Sequence, residues 1–184
     1  MNEAIQREIF NYLVKKSNLY IFGLLNDCFN SPLLKELFRK CKTDFTRDRK
    51  MPFKNVVFFI LNLAKKSLQV ELPLFMKWFS KGKAITLSGF IQNRDKIKPE
   101  LFSHLLGFMN NEFYTDNEAR VKRWNGFRLL SIDGSFFIFP HTKELKRIYG
   151  TTTNQNNSEL VQAKGSILYD LLNHMVIDGI LAPN

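Results

Sequence analysis

Trp124-Asn125-Gly126-Phe127-Arg128-Leu129-Leu130-Ser131-Ile132-Asp133-Gly134-Ser135 marks the point at which the chain changes period. Before it, apolar residues recur at intervals of three and four; from Phe127 to Ile132 they run almost without a break, as in a strand with little exposed face. Asp133-Gly134-Ser135 then reads as a tight turn closing that strand. A carboxylate in such a place is either a turn former or a functional acid, and on the residues alone the turn former is the stronger reading.

Working outward, Ser135 to Phe139 reads as a short partner strand ended by Pro140. A short helix follows from Thr142 through Tyr149, with Thr142 as its cap and Gly150 as its stop. Thr151 to Ser158 is polar and loop-like. Val161 to Leu171 and His174 to Ile180 then form an antiparallel hairpin around Leu172-Asn173. The expected class is α+β, with an all-α N-terminal region over residues 1–120 and a sheet over 121–184. The boundary falls between Tyr114 and Phe127, in the polar stretch Thr115-Asp116-Asn117-Glu118.

The first 115 residues carry helix-start signals. Ser31-Pro32 places a cap before a first-turn proline, and Pro52 and Pro99 sit where helix starts tolerate them. Phe53 to Lys66 is apolar almost all round, as expected of a helix central to a bundle. The chain has 18 Phe, most at helical core spacing, which points to packing rather than to base stacking.

At 45% hydrophobic and 24% charged residues over 184 positions, the chain is rich enough in apolar residues to bury a core. Val56 to Leu61, the longest apolar run near the N-terminus, is too short to span a bilayer, and Met1 to Glu8 mixes both charge signs, so neither secretion nor membrane insertion is expected. Cys28 and Cys41 form no C-x-x-C pair, so neither a disulfide framework nor a cysteine zinc site is indicated, and a reducing, cytoplasmic setting is expected. Charge is uneven. Residues 1–125 hold 22 Lys/Arg against 12 Asp/Glu, whereas residues 126–184 hold 5 of each. A polyanion is the expected partner of the first part, because cations that neutralise phosphates release condensed counterions; nucleic acid leads, with a solvated basic surface as the other reading.

Glu71 to Ser80, a turn at Lys81-Gly82-Lys83-Ala84-Ile85 and a second helix from about Thr86 resemble a helix-turn-helix. In the second helix Leu87, Phe90, Ile91 and Arg94 are expected on one face, with Ser88, Gln92, Asn93 and Lys96 projecting outward to base edges and phosphates. Lys77, Lys81, Lys83, Arg94, Lys96 and Lys98 crowd this region, and Lys40, Lys42, Arg47, Arg49 and Lys50 lie upstream. Helix pairs of this kind also occur in all-α domains that bind no DNA.

Several segments together resemble the N-terminal part of a DDE transposase of insertion-sequence family four. They are Met51-Pro52-Phe53 opening a long apolar helix, Glu71-Leu72 in the next, Thr86 to Ile97, Phe127 to Ser135, Leu145 with Tyr149-Gly150, and Ala163 to His174. The resemblance implies an RNase H-like catalytic domain in which Asp133 is the first acid of the triad and a metal ligand. It also implies that the other two acids lie beyond Asn184, so that the chain is expected to be a truncated and, alone, inactive form. A full-length enzyme would hold two Mg²⁺ or Mn²⁺ ions and cleave and join DNA strands. The expected partner is double-stranded DNA at transposon ends, with a homodimer possible, and with neither membrane nor small-molecule substrate. The DNA-binding residues expected are Lys81, Lys83, Ser88, Gln92, Asn93, Arg94, Lys96 and Lys98. A non-catalytic DNA-binding protein or inhibitor of the full-length transposase, and a basic helical interaction module, are the alternatives.

The remaining candidates are weaker. His104, His141 and His174 are too scattered for a ligand set. Ser135 has no basic partner at a recognisable spacing. Lys143, Lys146 and Arg147, on the short helix after the acid, either approach DNA phosphates or are solvated.

Overall fold

A computed structural model describes residues 23–47, 50–62, 66–79, 84–116, 118–153, 155 and 157–183. The fold is mixed α+β: among these residues there are seven helices and a four-stranded antiparallel sheet. Two compact units divide between Leu101 and Phe102, upstream of the polar stretch in which composition places a boundary. No helix among the described residues is long and apolar enough to cross a membrane.

The first unit is helical. It contains α1 (23–30), α2 (Pro32–Phe38), α3 (Phe53–Leu61), α4 (Leu68–Phe79) and α5 (Leu87–Arg94). Pro32 stands at the start of α2 as its sequence requires, although the Ser31 hydroxyl makes no capping bond. As its composition predicts, α3 is the central element, with Phe53, Val56, Val57 and Phe59 all buried. Phe59 is its hub: its ring meets Phe75 of α4 at 5.1 Å and Phe90 of α5 at 4.8 Å, both edge to face, the geometry favoured by the aromatic quadrupole. Phe29 and Phe58 make a similar contact at 4.7 Å. These phenylalanines are packing residues.

After α5 the chain is tied to the segment that follows α2. Lys40 N–H donates to Lys96 O and Lys98 N–H to Phe38 O, both at 2.8 Å, around an Arg39–Ile97 bridge. This pairing fixes the loop between α2 and α3 beside the end of α5.

The second unit begins within α6 (Glu100–Asp116) and carries a 3₁₀ turn (Glu118–Arg120), β1 (Leu130–Phe139), α7 (Lys143–Tyr149), β2 (Thr152–Thr153), β3 (Glu159–Asp170) and β4 (Met175–Pro183). β3 is central: it pairs antiparallel with β1 along one edge and with β4 along the other. The hairpin between β3 and β4 and the short helix α7 form as their sequences predict. Thr142 Oγ1 accepts Leu145 N–H at 3.2 Å, and Gly150 ends α7 at φ 75°.

One expectation is corrected. Phe127–Ile132 and Ser135–Phe139 are not two strands joined by a turn; residues 130–139 are one strand, paired in unbroken register from Leu130↔Asp170 to Phe139↔Val161. A glycine breaks a strand only where a turn is also formed, and here the twelve residues of β3 supply a continuous ladder across Gly134. The real turn lies earlier. Asn125 and Gly126 have φ of 47° and 83°, and Trp124 and Phe127 exchange backbone hydrogen bonds of 2.8 and 2.9 Å. Positive φ at both central residues is the type I′ arrangement that Asn-Gly favours.

Candidate nucleic-acid interface and the acid on the first strand

The candidate interface is built on α5. Thr86 caps it, its Oγ1 accepting Gly89 N–H at 3.1 Å, which satisfies one donor that the first turn leaves unpaired. Ser88 and Gln92 are exposed one turn apart, and Gln92 Nε2 donates to Ser88 Oγ at 3.3 Å. Arg94 is also exposed, 3.6 Å from the Asp95 carboxylate, a surface pair too weak to withhold the guanidinium from another anion. Lys81, Gly82 and Lys83 of the turn lie outside the described residues.

Two α5 assignments change. Asn93 does not project outward: it is 7% exposed. Arg94 is not on the packed face. The buried stripe runs through Phe90, Asn93 and Ile97, because Phe90 packs on Phe59 while the backbone pairing at residues 96–98 draws the end of the helix inward. Asn93 Oδ1 accepts from Lys96 Nζ at 3.0 Å, so the half-buried Lys96 is held against it. Lys98 is exposed, yet its ammonium donates to Leu37 O at 2.9 Å, and so part of its role is to brace the loop. The structure therefore brings Ser88, Gln92 and Arg94 to the surface, sets Lys96 beside a buried amide and ties Lys98 to the end of α2.

In the second unit Asp133 is exposed in the middle of β1, an edge strand. Its Oδ1 accepts the N–H of the next residue, Gly134, at 2.9 Å. Opposite residues of an antiparallel ladder share a face, and so Asp133 lies with Ile167 and Gly179, whereas Asp178 lies with Leu168 and Ile132 on the other face. A two-ion site needs several carboxylates converging from one side. Among the described residues no three of His, Cys, Asp or Glu gather in this way. The residues present do not fit a Mg²⁺ or Mn²⁺ pair, and Asp133 offers a single carboxylate.

Comparison of the chain with protein-family models, with curated proteins and with solved structures finds no match.

A second acid, invisible to pattern reading, organises the sheet unit. Asp170 is fully buried at the end of β3. Its carboxylate accepts from Tyr114 Oη at 2.7 Å, from Asn173 Nδ2 at 3.0 Å, and from the backbone N–H groups of Leu172 and Asn173 at 3.2 and 3.1 Å. Burial pushes its pKa up, but these four donors outweigh it and hold the carboxyl below the ordinary aspartate range. Burial, then the bond to Asp170, pushes the Tyr114 hydroxyl well above the ordinary phenol range. Asn173 also brackets the Lys122 backbone, accepting its N–H at 2.8 Å and donating to its carbonyl at 3.0 Å. Every lone pair is engaged in holding the hairpin, which makes Asp170 a structural acid. Of Lys143, Lys146 and Arg147 on α7, Lys146 pairs with Glu159 of β3, and its charge is thereby partly spent within the fold.

Proposed function

We propose that this chain is the DNA-binding and partial catalytic segment of an insertion-sequence transposase. The helical unit grips duplex DNA at transposon ends, and Asp133 contributes one carboxylate to cleavage chemistry that needs further acids. The observation that carries the DNA-binding part is the exposure of Ser88 and Gln92 side by side on one face of a capped helix, with the Arg94 guanidinium exposed elsewhere on it, within a region where cations outnumber acids 22 to 12. Hydroxyl, amide and guanidinium groups are the ones that read base edges and grip phosphates. Support for the catalytic part is the exposure of Asp133 on β1 and the three long antiparallel strands, which suit the opening of an RNase H-like sheet.

A second reading has its own support. With no acid beside Asp133 on its face of the ladder among the described residues, a non-catalytic DNA-binding protein, occupying transposon ends or spoiling multimers of a full-length enzyme, uses the same interface without any metal chemistry.

The test is binding of the whole chain to a labelled duplex, compared with Gln92→Ala and Arg94→Ala. Removing a group that reads a base costs about 1–3 kcal/mol and relaxes sequence preference. Equal affinity of both variants and the parent for every duplex would reject α5 as the reading helix.

A further inference from the structure

The loop that follows α2, together with the end of α5, encloses a cleft of about 330 Å³ within the helical unit, at the lower end of the size range for a small-ligand site. Its lining combines polar groups, among them Arg47, Lys96, Thr43 and Asn93, with the apolar Met51, Pro52 and Phe45.

The polar groups are mostly donors. Because Asn93 Oδ1 already accepts from Lys96, the amide group of Asn93 has its N–H bonds left to offer, and Lys96 keeps two of its three. Lys96 Nζ also lies 6.0 Å from the centre of the Phe45 ring, which holds the ammonium near the aromatic wall. Asp44, the acid among the described lining residues, is engaged elsewhere: its Oδ2 accepts Cys41 N–H at 2.9 Å and its backbone carbonyl accepts from Arg39 at 3.2 Å. Among the described lining residues Arg47 and Lys96 therefore outweigh Asp44, an excess of cationic donors that suits a phosphate oxygen.

The backbone gives an independent indication. Phe45 has φ 57°, in the left-handed region that a bulky residue enters only at a cost of about 1–3 kcal/mol. That conformation is what sets its ring along the cleft, edge to face with Phe53 at 5.4 Å, and strain of this kind gathers at ligand-holding positions.

We infer that this cleft seats one backbone phosphodiester of a nucleic acid strand. Arg47, Lys96, Thr43 and Asn93 donate to the phosphate oxygens, and the sugar rests against Met51, Pro52 and Phe45. The inference rests on the DNA-binding reading above and adds an anchor that the outward face of α5 does not contain. Such an anchor positions the duplex without reading sequence.

The experiment is a fluorescence titration of the whole chain with labelled duplexes of two unrelated sequences across a salt series. It compares the parent with Arg47→Ala/Lys96→Gln and with Thr43→Tyr, which fills the cleft from an exposed position. Each neutralised phosphate contributes about 0.9 to the log-log salt slope. Both variants are expected to lose affinity several-fold for both duplexes alike and to flatten the slope by about 0.9, with Thr43→Tyr carrying the test should the double variant fail to fold. Parent-like affinity and slope in the folded variants, with the parent binding DNA, overturns the cleft while leaving the DNA-binding reading intact. Failure of the parent to bind any duplex overturns both. Loss in the variants of binding to phosphatidylglycerol vesicles, but not to DNA, assigns the cleft to a lipid phosphodiester and overturns the inference.

Discussion

Tyr114, near the end of α6, donates a 2.7 Å hydrogen bond to Asp170, 56 residues away at the end of β3. The same carboxylate closes the β3–β4 turn through Asn173 and Leu172, so one buried acid joins a helix, a strand and a hairpin. A hydrogen bond to a charged group contributes about 1.5–3 kcal/mol. Tyr114→Phe is expected to destabilise the sheet unit by about that amount, and Asp170→Ala by more, since several donors are then left buried without an acceptor. Urea unfolding followed by far-UV circular dichroism measures both.

The same pair sets a pH dependence. The folded Asp170 carboxyl titrates below its unfolded value, so its contribution is present above about pH 4 and is lost as pH falls through the lowered folded pKa. Tyr114 titrates above its unfolded value, so its contribution is full below about pH 10 and declines as pH rises beyond that. Unfolding free energy should fall above about pH 10 in the parent and fall less in Tyr114→Phe. An identical alkaline decline in the two would contradict the pairing.

Gly165 lies under the Phe137 ring, and a Cβ placed there would stand 2.4 Å from Phe137 Cε2. Gly165→Ala therefore makes the half-exposed Phe137 ring swing aside and is expected to cost about 0.5–1.5 kcal/mol, the cost of an off-rotamer side chain. In a Phe137→Leu background that penalty should shrink, giving a coupling in a double-mutant cycle.

Phe59 joins three helices through its ring contacts and is 3% exposed. Phe59→Ala is expected to cost about 3–5 kcal/mol and to unfold the helical unit at a lower denaturant concentration. Duplex binding should fall in step with the folded fraction.

Asp133→Asn is expected to change stability by no more than about 0.5 kcal/mol, because the side chain is exposed and its one described bond is to its neighbour Gly134. Duplex binding should be unchanged. Where further acids complete the site, metal-dependent strand cleavage should be abolished, and cleavage that survived would remove Asp133 from the chemistry.

The sequence made legible what depends on short-range signals. Thr142 and Gly150 bound α7 because a cap and a left-handed stop are local chemistry, and the all-round apolar face of α3 places it at the centre of its unit. Asp133-Gly134-Ser135 misled because those residues form turns elsewhere, and only the partner strand β3 shows that the ladder crosses them. The Asn125-Gly126 pair is the stronger turn signal, because both residues take positive φ. Asn93 turned inward because its helix end is drawn toward residues 38–40, and Tyr114 meets Asp170 across 56 residues. No periodicity reports contacts of that span.

The claim on which the functional account rests is that the helical unit holds duplex DNA by its phosphates, and the most direct measurement is the affinity of the whole chain for a labelled duplex between about 50 and 200 mM salt. A straight fall of log affinity with log salt, with a slope of about −0.9 for each phosphate held, is the result expected. Weak binding that does not respond to salt, or no binding at all, would contradict it and leave a basic helical interaction module in its place.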